Sequence, residues 1–282
     1  MPSHSDLHRN RREFILQASA LSVTTALSVS AFAQSSTQSD SAIDLVKIQK
    51  EAANIPGRDT TLKFDATGNR RPFAGNTVIC HLPVQCAMRD GMVALHDELV
   101  NSPFHRKLGL TSTDSYHMTV FPGANDQDRS ASGWPSYVPI DASIEECSRL
   151  VGERMAQCRL SCELPIRVKV DLNTTLNYFA ACTLRLMPAD DSENTKLRSV
   201  RDKLADVYGF RTKGHDQYAF HMTMSYQIAR FTDDEQKAYR KVLQNHIPRI
   251  IAAAPIQELG MPEYCTFPDM FRFEPKKLLI CS

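Results

Sequence analysis

Two short runs carry residues suited to acid–base chemistry: His117-Met118-Thr119-Val120 and His221-Met222-Thr223-Met224. An imidazole can give or take a proton near neutral pH, and a hydroxyl can donate to an oxygen that carries negative charge. On a β-strand, residues i and i+2 share a face. Each run therefore presents one imidazole and one hydroxyl side by side, with Met118, Val120, Met222 and Met224 turned to the core. Two such strands across a cleft can hold a phosphoryl group, activate a nucleophile and protonate a leaving oxygen without a metal. His117 and His221 are the candidate catalytic pair, and Thr119 and Thr223 the candidate phosphate donors. No tight metal-ligand cluster accompanies them in the sequence, so neither a metal nor another cofactor is expected.

The elements needed to position these groups occur twice. The apolar, β-branched run 76–82 predicts a strand. A helix with an apolar stripe follows over 87–100, then a motif strand over 116–121, stopped by Pro122-Gly123. A helix is predicted over 142–157 with Asp141 as N-cap, and an alternating strand over 165–172. The second half repeats the order: a strand over 178–187, a helix over 194–208 closed by Gly209, and a motif strand over 220–225. Thr232 and Glu235 then form a capping box for a helix reaching about Ile251, followed by strand-like stretches at 256–261 and 271–280. Cys80 precedes His117 by 37 positions, and Cys182 precedes His221 by 39. The pattern predicts an α+β fold of two pseudo-symmetric lobes, each an antiparallel sheet with helices outside, around a central cleft. The lobes fall at about 61–172 and 173–282, an arrangement compatible with strand exchange.

The chain has 282 residues, 42% hydrophobic and 23% charged, with 33 Lys and Arg against 32 Asp and Glu. A formal net charge of +1 gives no electrostatic footprint for duplex DNA or a membrane surface. Residues 1–33 have the layout of an export signal: Arg11-Arg12, a modest apolar run, then Ala31-Phe32-Ala33 before Gln34. This resembles a twin-arginine (Tat) signal, which implies the Tat machinery as a partner, cleavage after Ala33 and a periplasmic or secreted mature protein. Residues 34–60 read as a linker with a short helix over 43–53. No run of about 18 uninterrupted apolar residues follows, so no stable membrane insertion is expected. The eight cysteines form no CxxC pair, and Cys80 and Cys182 lie in strand-like runs that favour buried thiols.

The paired strand-borne motifs resemble the two-histidine (2H) phosphoesterase superfamily, which includes LigT-like RNA ligases and 2′,3′-cyclic phosphodiesterases. The resemblance implies two α+β lobes around a cleft, metal-free chemistry and a small nucleotide or RNA-end substrate. It further implies that His117 and His221 share proton transfer while Thr119 and Thr223 hold non-bridging oxygens. Here Met224 and Ser225 follow Thr223, where an aliphatic residue is commoner in the family. Tyr116 and Tyr226 flank the motif strands and are candidates for cleft contacts with a base. Lys213 is a candidate phosphate contact. Trp134, a further candidate cleft contact, lies in the long Gly/Pro-rich loop 122–139, which reads either as a lid or as plain surface. Two rival functions use the same scaffold. One is a non-catalytic module that binds a phosphorylated ligand; the other is an esterase with a Cys nucleophile such as Cys86, which no Cys–His pairing supports.

Overall fold

The computed structural model describes residues 55–178 and 180–281. The export signal, its cleavage point and the helix expected over 43–53 lie outside the described residues. Helix α1 (Arg58–Lys63) leads into strand β1 (Gly75–His81), helix α2 (Ala87–Val100), strand β2 (Leu108–Leu110) and the first motif strand β3 (His117–Phe121). Helix α3 (Ile144–Gln157), strands β4 (Arg159–Leu160) and β5 (Ile166–Val170) and helix α4 (Leu172–Asn177) follow. The second half contains β6 (Ala181–Pro188), α5 (Asp191–Tyr208), the second motif strand β7 (His221–Gln227) and α6 (Asp233–Ala253). Strands β8 (Gln257–Leu259), β9 (Glu263–Asp269), β10 (Arg272–Leu278) and β11 (Ile280–Cys281) end the chain.

Local chemistry accounts for most boundaries. Thr232 accepts from the Glu235 N–H while Glu235 reaches back to the Thr232 N–H, the expected capping box at α6. Gly209 closes α5 at φ 74°, in the left-handed region that glycine enters without strain. The cap of α3 is Ser143, not Asp141: its hydroxyl accepts from the Glu146 N–H at 3.1 Å, so the helix starts two residues later than expected. Gly91 lets α2 approach α6, since a Cβ there would lie 2.6 Å from Ile250.

Two antiparallel sheets carry the motifs, in the orders β3-β1-β9-β10 and β2-β7-β6-β5-β8. β3 corresponds to β7, β1 to β6, β9 to β5 and β10 to β8. The third strand of each sheet comes from the opposite half of the sequence: β5 belongs with β7, and β9 with β3. Strand β9 is not apparent from sequence pattern, yet it fills the position beside β1. The register also corrects the alignment of the halves. Val78, not Cys80, is the counterpart of Cys182, because each pairs with the residue four positions after its motif histidine. One main core joins the inner faces of both sheets, including Val78, Met118, Val120, Cys182, Leu184, Met222 and Met224. A smaller aromatic cluster, built on Phe64, Phe267 and Met270, lies beside it.

Candidate active site

The two motif strands share a local irregularity. On β3, Phe121 pairs with Val78 and Thr119 with Ile79, so Val120 is an extra residue in the ladder. On β7, Ser225 pairs with Cys182 and Thr223 with Thr183, which makes Met224 the extra residue. Each strand therefore bulges immediately after its motif threonine. The bulge carbonyls are held in different ways. The Val120 carbonyl accepts from Arg201 Nη1 at 2.5 Å, and the Met224 carbonyl accepts from the Thr111 N–H and Oγ1, both at 2.9 Å.

His117, Thr119, His221 and Thr223 are all partly buried and line one cleft of about 560 Å³. His117 Nδ1 lies 2.6 Å from the Ser115 carbonyl, and His221 Nδ1 lies 2.9 Å from the Ala219 carbonyl. A carbonyl can only accept, so each Nδ1 carries the proton and each Nε2 is left free for transfer. The threonines are paired with further hydroxyls. Thr183 Oγ1 donates to Thr223 Oγ1 at 3.3 Å, while the Tyr218 hydroxyl lies beside Thr119, whose side chain favours the ionised phenol. Burial pushes the Tyr218 phenol up to about 12, so it remains a donor at neutral pH. Arg201, 0% exposed, lies over the Tyr218 ring with its guanidinium 4.0 Å from the centroid. One buried cation thus steadies both the Val120 bulge and Tyr218.

Both imidazoles are held below their ordinary range. Desolvation brings His117 down to about 4, assisted by His81 and His221 and opposed by the bond to Ser115. Burial also lowers His221, with Arg185 and Lys63 adding to the effect and the Ala219 carbonyl opposing it. In the ligand-free protein at pH 7 both are neutral, whereas acid–base catalysis needs one of them protonated. The kcat/KM profile should therefore have its optimum below the ordinary histidine value of 6.5 and decline on the alkaline side. A bound phosphate anion favours imidazolium, so the kcat profile should lie at higher pH than that of kcat/KM. Measuring both profiles checks this; a kcat/KM optimum above pH 7 overturns it. The His117 shift also has a sign for stability. The unfolded chain takes the proton near 6.5 and the folded one only near 4, so stability falls as the pH drops through that window.

Lys213 and Tyr226 line the cleft. Tyr116 does not: it is 1% exposed and packs in the main core, because the residue preceding His117 on an extended chain points the opposite way. Trp134 is also a core residue, 4% exposed, with its indole N–H bonded to the Val138 and Pro139 carbonyls and Arg129 stacked 4.1 Å from its ring. Nearer the motif, the same loop lends Pro122, Asn125, Gln127, Asp128 and Ser130 to the cleft wall. His215 is buried between Asp202 and Arg201. Tyr218, Lys63, Thr111 and Phe273 also line the cleft without having stood out in the sequence; the Phe273 ring lies 4.2 Å from that of His117.

The fold brings together a group of possible metal ligands that the sequence spacing conceals. His81, directly across the strand pair from His117, has Glu263 and Cys265 beside it, with donor atoms within 4.8 Å of one another. His81 Nδ1 is already engaged with Glu263 Oε2 at 2.9 Å. Burial pushes the Cys265 thiol far up, which disfavours the thiolate a metal would bind. A second such group, Asp202, His215 and Asp216, lies away from the tetrad.

Residues 63–178 match the family model described as 2H-phosphodiest, a domain of unknown function (DUF1868). That stretch contains the first motif, and the second lies beyond it. The chain matches no curated protein. Among solved structures it is similar to a conserved protein of unknown function from Agrobacterium tumefaciens str. C58. The two are 27% identical, the match covers 77% of this chain and 90% of that one, and the TM-score is 0.70. A phosphoesterase structure is more distant, at 13% identity over 74% of this chain and 99% of that one, with a TM-score of 0.38.

Proposed function

Starting from the premise that this chain belongs to the two-histidine phosphoesterase superfamily, we propose that it hydrolyses phosphodiesters, with 2′,3′-cyclic or 2′-5′-linked nucleotides or RNA ends as substrates. Phosphoester hydrolysis is the chemistry that the family match supports. The observation that carries the finer reading is the matched pair of imidazoles, each tied through Nδ1 to a backbone carbonyl and each beside a threonine hydroxyl in one cleft.

The chemistry follows from those atoms. The neutral imidazole takes a proton at Nε2 from water as the water oxygen attacks phosphorus. The protonated imidazole gives its Nε2 proton to the departing ribose oxygen as the P–O bond breaks, leaving a phosphomonoester. Thr119 and Thr223 donate to the non-bridging oxygens, where charge builds up. Tyr218 extends the donor set on the Thr119 side.

The test is turnover of 2′,3′-cyclic nucleotides by purified protein after exhaustive chelation. Full activity in EDTA is the expected result. Loss in EDTA that zinc restores would make histidines ligands and overturn the metal-free mechanism. Tight binding of cyclic nucleotides with no turnover would identify a binding module instead.

A further inference from the structure

Outside the tetrad, three cations line the cleft: Arg58 and Lys63 from α1, and Lys213 from the opposite wall. Helix α1 precedes β1 and lies outside the motif strands. Lys63 is held in a defined place. Its ammonium lies 5.3 Å from the Phe73 ring centroid and 4.9 Å from that of Tyr226, and it donates to Tyr226 Oη at 3.5 Å. Both rings are themselves braced, Phe73 stacked on Phe267 and Tyr226 packed against Phe64. Lys63 has no ion-paired carboxylate among the described residues, yet its charge reaches His221. Arg58 lies on the same short helix, and together with Lys213 it acts on Asp128 across the cleft.

Two carboxylates, Asp59 and Asp128, share the cleft with these three cations. One positive charge is therefore left over before either imidazole is protonated. A simple diester carries one negative charge, and the motif hydroxyls with one imidazolium already meet it. The additional cation on the α1 side has no partner in such a substrate.

We propose that Lys63, with Arg58 of the same helix, forms a second anion subsite, so that the preferred substrate is a nucleotide phosphodiester bearing a further phosphate group. The inference rests on the active-site reading above. Lys63 provides a preplaced charge against the second phosphate, and Arg58 adds planar donors suited to its oxygens. The site lies on the His221 side of the cleft.

The experiment compares a nucleoside 2′,3′-cyclic phosphate with the same compound carrying a 5′-phosphate, using wild-type protein, Lys63→Met and Arg58→Gln, each checked for an unchanged melting temperature. A charge-assisted contact predicts a kcat/KM about 10-fold or more higher for the 5′-phosphorylated substrate in wild type. In Lys63→Met that preference should collapse to within about threefold, and in Arg58→Gln it should shrink. Equal kcat/KM for the two substrates in wild type overturns the proposal. So does a Lys63→Met variant that loses both substrates by the same factor, which would assign the lysine to the scissile phosphate. If neither compound is turned over, the active-site reading fails separately. The subsite is then decided by titrating a nucleoside 5′-monophosphate calorimetrically: tighter binding to wild type than to Lys63→Met supports it, and equal affinity overturns it.

Discussion

Replacing His117 or His221 with alanine is expected to lower kcat by about 10² to 10⁴-fold, the usual worth of one general acid or base. Each Nε2 is free for transfer because its Nδ1 proton is committed to the Ser115 or Ala219 carbonyl. Removing either imidazole leaves one of the two proton transfers without a partner. The double variant should fall well short of the product of the single losses, since residues acting on one transition state are not additive. Both positions are partly buried at the cleft surface and not in the core, so the variants should stay folded. Steady-state kinetics on 2′,3′-cyclic nucleotides, with circular dichroism as the check on folding, decides the matter. Either single variant retaining activity within threefold of wild type would rule out a shared acid–base pair.

The second large effect concerns the hydroxyls. Thr119→Val and Thr223→Val preserve shape and remove one donor each, so losses of about 10 to 10³-fold in kcat are expected, by analogy with oxyanion-hole deletions. The neighbouring hydroxyls should make the two sites respond differently when a second donor is removed. Tyr218→Phe keeps the ring that lies against Arg201 and deletes only the hydroxyl beside Thr119. Combining it with Thr119→Val should cost more than either change alone. Combining it with Thr223→Val should give nearly the sum of the two effects in free energy, because those donors share no hydrogen bond. Single threonine variants within threefold of wild type would show that the hydroxyls do not meet the reacting oxygens.

Much of this site was legible because strand alternation is a strict rule. It placed His117 with Thr119, and His221 with Thr223, before any tertiary contact was known. The same rule, applied one residue earlier, assigns Tyr116 to the core beside Met118, which is where it lies. Tyr226 is the reverse case. Five positions after His221, a regular strand would turn it away from the cleft, and only the bulge at Met224 brings it back. A bulge is fixed by its partner strand and by Thr111, a residue distant in sequence, so local pattern cannot reveal it. Strand β9 escaped for a related reason. Its sequence, Glu263-Tyr264-Cys265-Thr266-Phe267-Pro268-Asp269, has charged ends and a proline, and its place between β1 and β10 is set by long-range pairing. Tyr218 and Lys63 reach the cleft from outside the duplicated strands, where no periodicity marks them. Trp134 does not reach the cleft because its loop folds the indole into the core, where the Val138 and Pro139 carbonyls hold its N–H, a burial that the Gly/Pro composition of residues 122–139 does not reveal.

The exchange of third strands bears on how the cleft can behave as a mechanical object. A cut between residues 172 and 173 would leave β1 and β3 without β9 and β10, and would strip β5 and β2 from the sheet that holds β7. Each half is thus fastened into the other by a ladder of main-chain hydrogen bonds, not merely docked on it. No single cut in the sequence separates the two sheets, and because they share one apolar core, parting them would mean unpacking it. The spacing of the two imidazoles is accordingly a property of the fold, present before substrate arrives. Adjustment to different substrates is left to the side chains and loops at the mouth, where α1 and residues 122–130 stand.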